Sequence, residues 1–217
     1  LAPLPADGDR LTRVVQGRTL PHMSGRPLQV RFVASASRTH QLPESDREVA
    51  FVGRSNVGKS SLINALANQK QLARVSNTPG RTQLINLFEH VGGGTIVDLP
   101  GYGYAKVPGH IRKDWGAMIE GYLLERVGLE MVFVLVDGAI GPTPLDVQML
   151  DWLRDNEVPH TVVATKFDKV KSAKRRTRKA ELAAGCMLDV GDIVWVSSAK
   201  NVNIDQLRGL VVGHLVD

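Results

Sequence analysis

Gly53-Arg54-Ser55-Asn56-Val57-Gly58-Lys59-Ser60 stands between a short β-branched, apolar run, Val49–Val52, and a stretch with helical spacing that opens at Lys59. The segment fits G-x-x-x-x-G-K-[ST] at every constrained position, in the strand–loop–helix setting that pattern needs. Its glycines let successive backbone N–H groups turn inward, and the N-terminus of the following helix adds a partial positive charge, so the loop suits an anion. A phosphate chain is the matching ligand. Lys59 would bridge its β- and γ-phosphates, and Ser60 would give its hydroxyl to Mg²⁺. The competing reading, a glycine-rich turn without a ligand, explains the loop but not its setting.

Outward from this loop, short β-branched runs alternate with longer helical stretches from residue 28 onward, the pattern of a mostly parallel sheet covered on both faces. Strands are expected at Val30–Ala34, Val49–Val52, Leu84–Val91, Thr95–Asp98, Met131–Val136, Thr161–Thr165 and Ile193–Ser197. Helices are expected at Lys59–Ala67, His110–Arg126, Leu145–Asn156, Ala173–Ala184 and Ile204–Leu215. Gly92-Gly93-Gly94 is too short for a crossover, so the strands it joins must form an antiparallel hairpin in an otherwise parallel sheet. The fold class is therefore α/β, a P-loop NTPase with a mixed sheet. Residues 1–27, with Pro3, Pro5, Pro21 and Pro27 among Gly8, Gly17 and Gly25, show neither periodicity and read as a flexible tail ahead of a domain spanning 28–217.

Two further strand ends carry chemistry. In Ile96-Val97-Asp98-Leu99-Pro100-Gly101, Asp98 would hold a metal-bound water and the Gly101 amide would donate to the γ-phosphate, so this loop would register whether that phosphate is present. In Ala164-Thr165-Lys166-Phe167-Asp168, the Asp168 carboxylate can accept both N1–H and the exocyclic amine of guanine. Adenine cannot return that pair, and a buried acceptor left unpaired costs about 1–3 kcal/mol. Lys166 can lay its aliphatic stem on the base plane. One strand on, Val196-Ser197-Ser198-Ala199-Lys200 offers small residues whose backbone can approach the base edge.

Composition sets the outer bounds. The 217 residues are 43% hydrophobic and 23% charged, ordinary values for one packed domain. A lone cysteine, Cys186, cannot form an internal disulfide and points to a reducing, cytoplasmic setting. The longest strongly apolar run, Met131–Val136, is far short of the roughly 18–20 residues of a membrane span, so no membrane partner is expected. The net charge of +5 suits an anionic partner without requiring one.

With these segments in order, the chain resembles the EngB family of bacterial ribosome-biogenesis GTPases. The resemblance rests on the phosphate loop continued through Ser61-Leu62-Ile63-Asn64, on Thr78-Pro79-Gly80-Arg81-Thr82-Gln83-Leu84-Ile85-Asn86, and above all on Asp98-Leu99-Pro100-Gly101-Tyr102-Gly103-Tyr104-Ala105. Phe32-Val33-Ala34-Ser35-Ala36 and Gln41-Leu42-Pro43 match as well. The resemblance implies GTP hydrolysis, Lys59 and Thr82 as catalytic groups, and Ser60, Thr82 and, through water, Asp98 around Mg²⁺. On hydroxyl chemistry alone Thr78 competes with Thr82. Gly80, Arg81, Thr82, Gln83 and Leu84 would wrap the triphosphate. Large-ribosomal-subunit assembly, with its rRNA as partner, and a role in division and septation are further implications, for a chain expected to act as a monomer.

The position after Gly101, which holds a water-orienting Gln in many relatives, is Tyr102, so intrinsic hydrolysis is expected to be slow. Asn56 stands where similar GTPases hold a monovalent cation, K⁺, though it can equally serve only to stabilise the loop. An ATPase or small-molecule kinase is disfavoured by Thr165-Lys166-Phe167-Asp168. A binding module with negligible hydrolysis, and a GTPase acting on tRNA or the small subunit, remain as rivals. The run Lys169, Lys171, Lys174, Arg175, Arg176, Arg178 and Lys179 reads either as a solvated helix face or as a contact for rRNA phosphates.

Overall fold

The computed structural model describes residues 25–73, 84–103 and 109–216. In chain order it comprises β1 (Val30–Ala36), β2 (Glu48–Gly53), α1 (Lys59–Ala67), β3 (Ile85–His90), β4 (Thr95–Asp98), α2 (Gly109–Glu125), β5 (Leu129–Asp137), α3 (Pro144–Asp155), β6 (His160–Thr165), α4 (Arg175–Gly185), β7 (Ile193–Trp195) and α5 (Ile204–Leu215). They build one seven-stranded sheet in the order β1-β3-β4-β2-β5-β6-β7. β4, β2, β5, β6 and β7 are parallel, and β3 pairs antiparallel with both β4 and β1. The expected α/β fold with its hairpin is thus present. Gly93 and Gly94 take positive φ in that turn, and a β-carbon on Gly94 would lie 2.9 Å from the Leu215 carbonyl oxygen, so the turn admits little else there.

The central strands are apolar throughout because both of their faces are covered. On β5, Val132, Val134 and Val136 join the core beneath α2, α3 and α4, while Met131, Phe133 and Leu135 join the core beneath α1 and α5. The two-residue period sends alternate side chains to opposite layers, so each must be hydrophobic. Phe51 stacks on Phe133 across the β2–β5 pair at 5.1 Å between ring centroids.

Two buried charged residues at the ends of the layers, Glu48 and Arg208, are paired. At the N-terminal end of β2, Glu48 is fully buried and accepts from Arg126 and from the Tyr122 hydroxyl at 2.5 Å, which pins the end of α2 to the sheet. Arg208 on α5 donates to the carbonyls of Ala65 and Leu66 at the end of α1, and to that of Gly25 at 2.9 Å. The Ala65 and Leu66 carbonyls lie in the last turn of α1, where that of Ala65 also accepts from the C-cap Asn68 N–H and that of Leu66 from Leu28 N–H.

Expected boundaries move for identifiable reasons. β5 runs to Asp137, beyond the apolar residues, because its pairing with β6 continues to Thr165. β7 stops at Trp195, since Ser197 turns away to exchange backbone hydrogen bonds with Val202. The stretch expected as one helix from Ala173 is divided into a 3-10 turn, Ser172–Lys174, and α4 from Arg175. Among the described residues, no helix is long and apolar enough to cross a membrane.

Candidate nucleotide site

Parallel strands deliver their C-terminal ends to one edge, where open α/β sheets place their ligands. Here Gly53, Asp98, Asp137, Thr165 and Trp195 end β2, β4, β5, β6 and β7 in turn. The loop Gly53–Gly58 leaves β2 and enters α1 directly. Asn56 has φ 64° and Gly58 φ 106°, left-handed values that Asn tolerates and Gly adopts without cost. Gly53 packs where a β-carbon would meet Val57 and Leu135. Val57 is buried, its carbonyl accepting from the Thr165 hydroxyl at 2.7 Å, while Ser60 is half-buried and Ser61 exposed on the first turn of α1.

Lys59 and Asp98, 7% and 2% exposed, form an ion pair beneath this loop. Leu99 and Pro100 are buried beyond it. The next residues lie on the phosphate loop itself. Gly101 approaches so closely that a β-carbon would stand 3.3 Å from the Ser55 nitrogen. Tyr102 continues the sheet pattern by one rung: its N–H donates to the Gly53 carbonyl at 3.2 Å and its carbonyl accepts from Ser55 N–H at 3.0 Å. The Tyr102 hydroxyl donates to Asp146 on α3 at 2.7 Å. Burial, with Asp146 beside it, raises the Tyr102 pKa well above the usual phenol value. Asp146 also accepts from Thr143, closing a capping box at the start of α3.

The loop after β6 is anchored from two directions. Lys166 takes a left-handed conformation, φ 56°, and its ammonium donates to the Asn56 carbonyl at 2.8 Å and to Asp137 at 2.7 Å. Phe167 packs on Trp195 at 5.3 Å, with the Arg175 guanidinium 4.5 Å above its ring, and its N–H donates to the Val196 carbonyl. Asp168 is exposed, with one oxygen accepting from the Ser197 hydroxyl at 2.5 Å; that hydroxyl in turn accepts from Lys200 N–H. Val196 and Ser197 are fully buried and Ser198 half-buried. The sequence offered Ser197 for its backbone, whereas the structure engages its side chain with Asp168.

The described residues of all four other predicted segments therefore gather on one edge with the phosphate loop. Leu84 is 40% exposed at the start of β3. Gly80, Arg81, Thr82 and Gln83, with Thr78, lie outside the described residues. Asp137 and Asp146 are residues of this edge that no sequence motif names. Each carried a signal: Asp137 ends an apolar strand as Asp98 does, and Thr143-Pro144-Leu145-Asp146 has capping-box spacing.

Comparison with known proteins gives this edge its class. A family model described as "50S ribosome-binding GTPase" matches residues 48–166. The chain is 48% identical over 172 residues to the "Probable GTP-binding protein EngB" of Pelobacter propionicus, covering 79% of this chain and 86% of that protein. It is 52% identical over 177 residues to the protein of the same description from Geotalea daltonii, covering 81% and 86%. A crystal structure of a probable GTP-binding protein engB matches with a TM-score of 0.64 at 25% identity, over 76% of this chain and 97% of the other. Fold, loops and relatives together define a P-loop GTPase, which binds guanine nucleotide and hydrolyses GTP. The chain belongs to the EngB family of GTP-binding proteins.

The two phenols that donate to carboxylates, half-buried Tyr102 and buried Tyr122, give a test of the bond between Tyr102 and Asp146. An unfolded tyrosine ionises near pH 10, whereas burial beside a carboxylate holds Tyr102 and Tyr122 protonated beyond that. Ionisation then favours the unfolded chain, so the stabilisation is fully present below about pH 10 and lost as the pH rises further. Urea unfolding at about pH 8 and about pH 11 should show a smaller drop in stability for Tyr102→Phe than for the parent protein. Equal drops would contradict the placement of this phenol.

Proposed function

We propose that this GTPase is a cytoplasmic, nucleotide-controlled switch in assembly of the large ribosomal subunit, acting as a monomer, with division and septation depending on that assembly. The observation that carries the reading is the seating of Gly101 and Tyr102 on the phosphate loop. A γ-phosphate reaching the Gly101 amide must enter where these loops touch, so the loop after β4 responds to the phosphate that hydrolysis removes. The family model's description as a 50S ribosome-binding GTPase supports the partner.

The donor set fits Mg²⁺: the Ser60 hydroxyl, half-buried on the first turn of α1, and, through water, the Asp98 carboxylate beneath the loop are hard oxygens. When bound, the ion would neutralise phosphate charge during transfer. Lys59 would exchange part of its pairing with Asp98 for the β- and γ-phosphates, and backbone N–H groups of Gly53–Ser61 would cradle the chain. Asp168, oriented by Ser197, would pair with the guanine edge, and Val196–Ser198 would border it. Thr82 keeps its proposed role at the metal and the γ-phosphate, with Gly80–Leu84 wrapping the nucleotide.

Tyr102 replaces a water-orienting side chain with one whose hydroxyl is committed to Asp146 and whose backbone is committed to the phosphate loop. Intrinsic hydrolysis is therefore slow, and a K⁺ beside Asn56 would supply positive charge. The Asn56 carbonyl is occupied by Lys166, which leaves the exposed side-chain amide to serve the ion. Exchanging Na⁺ for K⁺ should raise the hydrolysis rate in the parent protein and not in Asn56→Ala. Equal rates in both salts would remove the ion from the mechanism.

The basic run divides on folding. Arg175 and Lys179 lie against the Phe167 ring, and Arg178 bonds the Ile140 carbonyl and Glu181. Lys169, Lys171, Lys174 and Arg176 remain exposed, and these form the face proposed for rRNA phosphates. Association with isolated large subunits, followed over a salt series in the GTP and GDP states, tests this. Converting the four exposed cations to Gln should lower the log–log slope by roughly 0.7–0.9 for each phosphate no longer neutralised, with GDP affinity retained. An unchanged slope would move the rRNA-binding face elsewhere.

A further inference from the structure

β5 ends on Asp137, whose carboxylate is 2% exposed and is approached from two loops of the nucleotide site. Lys166 Nζ donates to its Oδ2 at 2.7 Å, and Arg54 Nη2 lies 3.3 Å from the same oxygen. Its Oδ1 accepts from Ala139 N–H at 3.0 Å, which holds the carboxylate in the turn leaving β5. The Lys166 ammonium has a second acceptor, the Asn56 carbonyl at 2.8 Å. A lysine ordinarily samples many rotamers, and fixing one costs about 1.5–2 kcal/mol of side-chain entropy. Two acceptors hold this one across the loop, so that a β-carbon on Gly58 would lie 4.0 Å from Lys166 Cε. The Asp137 carboxylate thus links the base loop, through Lys166, to the phosphate loop, through Arg54.

We propose that Asp137 is a positioning residue for guanine nucleotide: it fixes the Lys166 stem as the platform for the base and sets its place relative to the phosphate loop. The proposal rests on the reading of Thr165–Asp168 as the guanine loop. It also predicts a sign that simple electrostatics does not. Asp137 is a negative charge near the phosphate site, so its neutralisation would, by charge alone, tighten binding of an anionic nucleotide. Loss of positioning weakens it.

The test uses equilibrium binding of N-methylanthraniloyl-GDP to the full chain, with Mg²⁺ at fixed salt, for the parent protein, Asp137→Asn, Lys166→Met and the double variant. Asp137→Asn should weaken binding by about tenfold or more, about 1.4 kcal/mol. Because Asp137 acts through Lys166, the double variant should bind within about twofold of the weaker single variant. Unchanged or tighter binding in Asp137→Asn, or effects that simply add, would overturn the proposal. If Asp137→Asn does not melt cooperatively, Asp137→Glu carries the same test, since it keeps the charge and displaces the carboxylate by one methylene. Binding of the matching ADP probe to the parent protein separates the two levels. No preference for GDP over ADP would sink the guanine-loop reading itself, whereas a clear preference with no effect at Asp137 would sink only this inference.

Discussion

Lys59 and Asp98 are buried as a pair, and neither charge could be buried alone. An isolated ion taken from water costs several kcal/mol even after relaxation, so removing one partner leaves the other uncompensated. The pair therefore requires that the start of α1 and the end of β4 lie side by side. The parallel pairing of β2 with β4, which sets Phe51 opposite Asp98, provides that adjacency. The same ion pair would make the site responsive under the proposed function. In the proposed mechanism Lys59 already has an anion, so a phosphate would take it over from Asp98, and the loop that Asp98 begins is the one seated on Ser55.

A second layer of polar contacts extends the coupling across the edge. Asp137 joins Lys166 to Arg54, Thr165 bonds the Val57 carbonyl, and Tyr102 reaches Asp146 at the start of α3. Buried polar groups of this kind specify one arrangement to the extent that they are satisfied, and here Arg54 Nε is buried without a hydrogen-bond partner while Asp137, Thr165 and Tyr102 are bonded. One consequence is that the phosphate loop is held by side chains from β5 and β6 as well as by its own backbone. Another is that the loop after β4 is tied both to that loop, through the Tyr102 backbone, and to α3, through the Tyr102 hydroxyl.

Much of this is legible in the residues alone. The start and end of α1 follow from the glycine–lysine motif and from apolar spacing up to Ala67, and both hold in the structure. β2 and β5 announce themselves as apolar runs because both of their faces are buried. Asp137 was harder to see. Its partner Lys166 lies 29 residues away, and an acid after a strand has no spacing rule that names its cation. The basic run shows the opposite failure. As sequence it is a single block of charge, but the Phe167 ring and the Ile140 carbonyl withdraw Arg175, Arg178 and Lys179 from solvent-facing use. Ser197 reads in the sequence only as a small residue, and folding brings its hydroxyl to Asp168.

The hydrogen bond between Ser197 and Asp168 leads to the most direct measurement of the account, which is the base preference of Asp168→Asn. An Asn amide can donate to the C2 oxygen of xanthine, where a carboxylate would be repelled, and it cannot accept the paired N–H groups of guanine. Side-by-side titration with GTP and xanthosine triphosphate should show the variant losing at least about tenfold in GTP affinity while gaining affinity for the xanthine nucleotide. Undiminished GTP binding, with no gain for xanthine, would contradict the assignment of this edge as the guanine site.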